Sequence, residues 1–413
     1  MKNWTEIQIG DYIDIITDYH ANGSYETLKN NITLKYEPDY AIMIRTLNFE
    51  SNDWSNDLIY LNEKEYDFLS KSKVKPYDLI MNKIANPGTI YLMPDLDKPV
   101  SLAMNLFLIR FNKKLDQKFM YYLMKFHEEY IKRIANGTTT KTITKDDIKS
   151  LKFKIPDLTE QKKISSFLFD IQDKIDVLKK INNNLEKLVK NLYDFWFIQF
   201  DFPNKEGKPY KSSGGEMIWS PVLNREIPIG WKIIEISQIL RKNNSKIDNP
   251  IEIFETLDLS VIPSSTFCLD QKSTSESFKT NLYYLKKFDI LFGSIRPYLK
   301  KSGFSPIDGL VTGTVHSYTP KIMSDYNFAL LTMSHENIFK FAVTNSKGTK
   351  MPVIDSDDLL SYKVAYNSDI SKKFNEIIEF KETISNNIFQ IQKLETFKNY
   401  ISKVILNGQI TIN

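Results

Sequence analysis

The chain has 413 residues, 42% hydrophobic and 26% charged, a globular composition that excludes a wholly disordered protein and provides for two to four domains at roughly 100–200 residues each. Lys and Arg number 55 against 51 Asp and Glu, a net charge of +4; this neither demands nor excludes a nucleic-acid partner, because a local patch decides. No apolar run approaches the ~18 residues of a membrane helix, the acidic opening MKNWTEIQIGDYIDI is unlike a signal peptide, and the single cysteine, Cys268, leaves no internal disulfide, so a reducing cytoplasm is expected.

In chain order, residues 1–155 read as a mixed α/β globule. Strand-like runs such as Tyr40-Ala41-Ile42-Met43-Ile44 and residues 103–109 are punctuated by Gly, Pro, Asn and Asp. Residues 117–135 carry helical spacing at Met120, Leu123 and Met124. Residues 156–200 form a long helix. Pro156-Asp157 and the acids that follow are a start signal. The seam runs Ile164, Leu168, Ile171, Ile175, Leu178, Leu185, Val189, Leu192 and Trp196 in heptad steps. Some 38 helical residues would span about 57 Å. Asn182 falls in this seam, either as a register-fixing buried amide or as an exposed slot. Residues 201–228, rich in Gly, Pro, Ser and Lys, read as a linker.

Residues 229–366 form a second mixed globule, with strands near 289–292 and 316–319 and a helix over 326–344. Residues 367–413 hold the second long helix, expected over about 369–406. Its seam is Ile377, Ile384, Ile388, Ile391, Leu394, Phe397, Ile401 and Val404, with a stammer at Ile391-Leu394-Phe397. Short matches recur at one offset. Tyr77-Asp78-Leu79-Ile80 pairs with Phe288-Asp289-Ile290-Leu291, and Asn136-Gly137-Thr138-Thr139 with Lys347-Gly348-Thr349-Lys350, all 211 residues apart. The chain is thus a two-fold internal repeat. The expected fold is α/β (α+β): two mixed globules separated by two long antiparallel coiled-coil helices.

Catalytic signatures are missing. His127-Glu128 and His335-Glu336 lack the second histidine of a zinc protease pair, and no phosphate-binding glycine loop occurs. Asn86-Pro87 and Asn249-Pro250 lack the second proline and aromatic with which an amino-methyltransferase grips a flipped base. Pro156-Asp157 with Glu160-Gln161-Lys162 imitates a nuclease motif, but both acids lie in one turn after a proline, which is capping chemistry.

Two repeated loop pairs suit DNA. Arg296, Tyr298, Lys300 and Lys301 follow a strand in the second half, and Lys83 and Asn86 stand at the counterpart. Arg grips guanine, Asn reads adenine, and Lys neutralises phosphate; a solvated turn is the alternative. Thr138, Thr139, Thr140 and Lys141 pair with Lys347, Thr349 and Lys350, as phosphate contacts or helix caps. Arg45, at a strand end, either enters a groove or forms a surface salt bridge.

Globule, long helix, globule, long helix resembles the specificity subunit of type I restriction–modification systems. The resemblance rests on Ile155-Pro156-Asp157-Leu158-Thr159-Glu160-Gln161-Lys162-Lys163-Ile164 at the opening of the first helix. It rests also on residues 185–202 at its exit, on Ile227-Pro228-Ile229-Gly230-Trp231, and on residues 289–298. Together these cover essentially the whole chain, although Asn367-Ser368-Asp369-Ile370-Ser371 departs from the family's helix opening. The resemblance implies a non-catalytic chain. Its globules would be target recognition domains reading the halves of an asymmetric bipartite DNA site, and its helices a spacer that docks two methyltransferase subunits and, through them, restriction subunits. S-adenosylmethionine, ATP and Mg would belong to those partners. A type IIB specificity chain has a similar layout, and a coiled-coil scaffold that binds no DNA is the remaining alternative.

Overall fold

The computed structural model describes residues 4–135, 141–247, 252–269 and 271–412. It divides into two compact units, Met1–Asp173 with Thr396–Asn413, and Lys174–Glu395. Each unit therefore holds one globule and parts of both long helices.

The first unit is organised around a run buried at every position, Leu79–Asn82. Side chains of a strand alternate between faces. Leu79 and Met81 accordingly join Phe107, Phe119 and Leu123 in one core, while Ile80 joins Ile42, Val100 and Leu108 in another. Such a strand needs cover on both faces. It belongs to an antiparallel sheet ordered Ile13–Asp18, Leu106–Phe111, Leu79–Asn82, Ile90–Leu92. Helices Gln117–Phe126 and Glu128–Ile134 fill the first core. A second sheet supplies the other, ordered Ile59–Leu61, Ala41–Ile44, Val100–Leu102, Lys73–Val74, with its middle pair parallel. Strand Thr5–Gln8 pairs with Lys152–Ile155, which ties the start of the globule to the stretch before the long helix.

The second unit repeats this plan. Its antiparallel sheet runs Leu240–Lys242, Val315–Pro320, Ile290–Gly293, Ser302–Phe304. Its other sheet again contains one parallel pair, Glu255–Leu257 with Gly309–Thr312. Strand Lys232–Glu235 pairs with Lys363–Tyr366. The repeated Tyr77-Asp78 and Phe288-Asp289 are the same turn. Tyr77 and Phe288 are left-handed, with φ of 66° and 71°. The carboxylates of Asp78 and Asp289 accept from the amides of Lys75 and Lys286 at 2.7 and 2.8 Å, a side-chain bond that reaches back three residues and closes the turn.

The first long helix is Leu158–Tyr193, extended by a wider turn over Asp194–Ile198. Asp157 accepts from the Glu160 amide at 2.9 Å, and Gln161 donates to the Pro156 carbonyl at 2.9 Å, so this segment caps a helix. In the second unit Asn387 donates to Asn182 at 2.8 Å and Lys179 pairs with Glu395 at 2.8 Å, an antiparallel match of the two helices. Asn182 is thus the buried seam amide. In the first unit Phe167 meets Phe397 edge-on at 6.3 Å, and Lys398 donates to Gln172.

Four expectations need correction. The second long helix is broken into Ser368–Ile377 and Lys381–Ile405. Asn327 binds the Ile378 carbonyl at 2.8 Å and Phe380 is fully buried, so tertiary contacts take those residues out of the helix. Ile377 leaves the seam and is 60% exposed. The helices expected over 117–135 and 326–344 each divide at a histidine, His127 and His335, which stand as N-caps of their second segments. Within 201–228, Met217–Ser220 and Arg225–Pro228 form a hairpin. Phe202 stacks on Tyr210 at 4.8 Å beside Trp231, so an aromatic cluster anchors this connecting stretch. Trp196 and Phe197 are buried in the same core, whereas Phe195 is exposed.

Candidate nucleic-acid interface

The buried strand of each unit ends in a loop held almost wholly by backbone. In the first unit Lys83 N donates to Asn105 O at 2.8 Å and Ile143 N to Lys83 O at 3.2 Å. Ile84 bridges Thr142. Ala85 is left-handed with φ 68°, and Gly88 closes the loop with φ 87°. A Cβ on Gly88 would lie 3.0 Å from Ile131 Cγ2, so this glycine serves both the turn and the packing on helix Glu128–Ile134. In the second unit Ser294 N donates to Thr314 O and Ile354 N to Ser294 O, both at 3.0 Å. Ile295 bridges Val353. Arg296 and Lys300 are left-handed, with φ of 51° and 53°. These contacts match between the units: the first loop meets Thr142 and Ile143 in one and Val353 and Ile354 in the other, in each case residues that follow the second loop singled out in the sequence.

The side chains on these frames differ in how far they are committed. Lys83 pairs with Asp18 at 2.8 Å, and Lys145 approaches the same carboxylate at 3.5 Å. Burial opposes ionisation of Asp18, but the hydrogen bond and charge of Lys83, backed by Lys145, hold its carboxyl below the usual range. Asn86 is exposed. Lys300 pairs with Glu336 at 2.9 Å, and Lys301 donates to the Leu259 carbonyl at 2.7 Å. Arg296 and Tyr298 are exposed. Lys347 faces Asp355 at 3.1 Å and Asp358 at 3.2 Å; the hydrogen bond that it donates to Asp355 leads the contacts that raise its pKa. Thr349 and Lys350 stand exposed on the hairpin tip that Lys347 and Val353 close. Lys141 is exposed. Thr138, Thr139 and Thr140 lie outside the described residues.

Arg45 heads the helix Thr46–Ser51, and its guanidinium donates to the Asp57 carbonyl rather than to a carboxylate. The neighbouring Thr46 hydroxyl donates to Asn82 at 3.0 Å, which places Arg45 at the edge of the first loop. Sequence reasoning missed Asp18 and Lys145 here. Nothing local marks them, since Asp18 reaches Lys83 across 65 residues. It also missed that Ala85 and Arg296 occupy one backbone position, although the 211-residue offset gives that alignment directly.

Comparison with known proteins bears on this arrangement. A model described as "Type I restriction modification DNA specificity domain" matches residues 1–187. The Type I restriction enzyme MjaIX specificity subunit of Methanocaldococcus jannaschii is 24% identical over 314 residues, covering 71% of this chain and 69% of the relative. The HindI specificity subunit of Haemophilus influenzae is 27% identical over 212 residues, covering 49% and 42%. The chain thus spans about two thirds of the first relative and less than half of the second. The crystal structure of a type I restriction–modification S subunit from M. genitalium superposes with a TM-score of 0.60 at 16% identity, covering 98% of this chain and 95% of that one; at that identity the likeness speaks for the fold. A repeated α/β globule with long helices is the fold that this chain shares with the M. genitalium S subunit, and residues 1–187 carry its similarity to the type I DNA specificity domain.

Proposed function

We propose that this chain selects the DNA of a type I restriction–modification complex by reading an asymmetric bipartite site, one half-site per unit. Residues 1–155 and 229–366 act as the two target recognition domains, and residues 156–200 and 367–413 as the spacer helices, with 201–228 connecting the halves. The observation that carries this reading is the repeated loop frame. Two copies of one backbone device, each set at the end of a buried strand and dressed with different exposed side chains, suit two related but non-identical readers. The reader residues on these frames are Arg45, Lys83, Asn86 and Lys141 in the first unit, with Thr138, Thr139 and Thr140 on the adjoining segment. In the second they are Arg296, Tyr298, Lys300, Lys301, Lys347, Thr349 and Lys350. The chain itself is non-catalytic. It assembles with two methyltransferase subunits and, through them, with restriction subunits. S-adenosylmethionine, ATP and Mg are supplied there. Among the described residues no helix is long and apolar enough to cross a membrane.

The test is methylome sequencing of a methylation-free host that expresses the chain with its methyltransferase. The expected result is a split motif, modified on each strand and absent without this chain. Exchange of residues 1–155 for those of a relative changes one half-site only. A continuous motif, or methylation that persists without the chain, overturns the proposal.

A further inference from the structure

The two loop frames share their backbone contacts and differ at one position in a way that bears on what each reads. Ala85 and Arg296, 211 residues apart, are each the left-handed residue that follows the bridge to the neighbouring segment, with φ of 68° and 51°. A side chain with a Cβ is disfavoured in that conformation. It persists where the surroundings over-determine it, and such strain concentrates at functional positions.

The surroundings of Arg296 do over-determine it. Its amide donates to the Pro352 carbonyl at 2.7 Å and its carbonyl accepts from Leu299 at 2.9 Å. Pro297, next in the chain, is buried. The Cα is therefore fixed while the side chain is exposed. Among the described residues the guanidinium has no hydrogen bond or ion pair. Its neighbours Lys300, Lys301 and Lys347 are all engaged, with Glu336, the Leu259 carbonyl, and Asp355 and Asp358. A cation that is pre-positioned by its backbone and left unpaired by its protein lacks only its ligand.

The chemistry of the group then narrows the ligand. Any flexible lysine can meet a phosphate as a point charge. A planar guanidinium fork on a fixed Cα adds a second possibility beside two phosphate oxygens, a flat pair of acceptors on a base edge. In a DNA groove that pair is guanine O6 and N7. We infer that Arg296 reads a guanine in the half-site of the second unit. The first unit, with Ala85 at the equivalent position, reads no guanine from it. This rests on the proposal that the chain reads a bipartite site, and it adds a base and a residue to it.

The test uses the full chain with its methyltransferase in the same methylation-free host, scoring methylation at every single-base variant of the motif. Arg296→Gly is the main variant, because glycine suits φ 51° and removes the fork without straining the fold. Arg296→Lys keeps the charge without the fork. The expected wild-type motif has an obligatory guanine in the half-site that follows residues 229–366 on domain exchange. In Arg296→Gly that one position accepts other bases, with discrimination there falling roughly 5- to 150-fold, the span of one bidentate pair, and all other positions unchanged. Arg296→Lys recovers the level of methylation only in part and leaves the position relaxed. A uniform loss with the motif unchanged makes Arg296 a phosphate contact and overturns the inference. So does a relaxed position that is not guanine or that lies in the other half-site, and so does full restoration by lysine. A wild-type motif that is not split overturns the bipartite reading itself, which keeps the two failures apart. Purified complexes titrated with duplexes substituted at single positions, at one salt concentration, give the same comparison without methylation as the readout.

Discussion

Replacing Asn387 by leucine tests how the helix pair of the second unit is specified. Asn182 and Asn387 are 3% and 8% exposed and share one 2.8 Å hydrogen bond. They sit in a seam otherwise built of Ile175, Leu178, Val189, Ile384, Ile388 and Ile391. Asn387→Leu leaves the Asn182 amide buried without its partner, at a cost of about 1–3 kcal/mol; Asn182→Leu strands Asn387 in the same way. Changing both removes the desolvation problem altogether and is expected to be near neutral or stabilising. The four proteins therefore form a cycle that departs from additivity by about 2 kcal/mol or more. The second unit comprises 395 − 174 + 1 = 222 residues, a size at which each kcal/mol moves the midpoint by about 2–4 °C. Each single variant should then melt about 4–8 °C lower at a loss of about 2 kcal/mol, and the double variant near the parent. Thermal unfolding followed by circular dichroism, with light scattering alongside, measures both energy and association. The double variant keeps its stability but loses the polar pair that fixes register, so mixed oligomers are expected in it alone. Additive losses, or single variants as stable as the parent, would refute a bonded asparagine pair in the seam.

Two further variants, one in each unit, give three outcomes. Asp18→Asn releases Lys83 and Lys145 together, so the salt dependence of DNA binding should steepen by about 1–2 in log–log slope, and an unchanged slope in a filter-binding series counts against Lys83 as a phosphate contact. The same variant bears on acid stability: the Asp18 carboxyl has a lowered folded pKa, so its contribution is complete above about pH 4 and is lost as pH falls through the folded value, and Asp18→Asn should lack that step in urea titrations across pH. Trp231→Ala removes a ring that lies 5.2 Å from Phe200 and 5.3 Å from Phe202; it should cost about 3–5 kcal/mol, and a variant within 1 kcal/mol of the parent would show that this aromatic group is not a core.

The part of the fold that was legible in the sequence is the part enforced locally. Tyr77-Asp78 and Phe288-Asp289 stand out as a repeat because a left-handed residue before a bonded aspartate is a demand of the turn itself. The all-buried run Ile290–Gly293 is visible because both faces of the strand are covered. The helix break at 378–380 was not legible. Ile377-Ile378 continues the apolar rhythm, and the decision comes from Asn327, some 50 residues away, and from the pocket that takes Phe380. The same holds for the site. The correspondence of the loops between the two halves followed from the repeat. Which cations are engaged did not, since the Lys301 carbonyl partner is 42 residues distant and the Lys83 carboxylate 65.

These two kinds of information fall on different atoms, and that division explains how one frame can carry two different sets of side chains. The loops are positioned by main-chain bonds, Lys83 N to Asn105 O in one unit and Ser294 N to Thr314 O in the other, and main-chain bonds do not depend on which side chain is attached. What they do require is backbone geometry. Ala85 and Arg296 satisfy it with different side chains, whereas a side chain at Gly88 is strained by its φ of 87° and crowded by Ile131 and the Lys132 amide at 3.0 and 3.3 Å from its Cβ. Exposed positions on such a frame change at a cost usually within about 0.5 kcal/mol, whereas a large-to-small change in Leu79 or Ile290, both fully buried, costs about 2–5 kcal/mol. A reader built this way can exchange the residues that face the ligand while the strand beneath them stays fixed, so divergence between the halves should concentrate at the exposed loop positions and be sparse in the buried strands that present them.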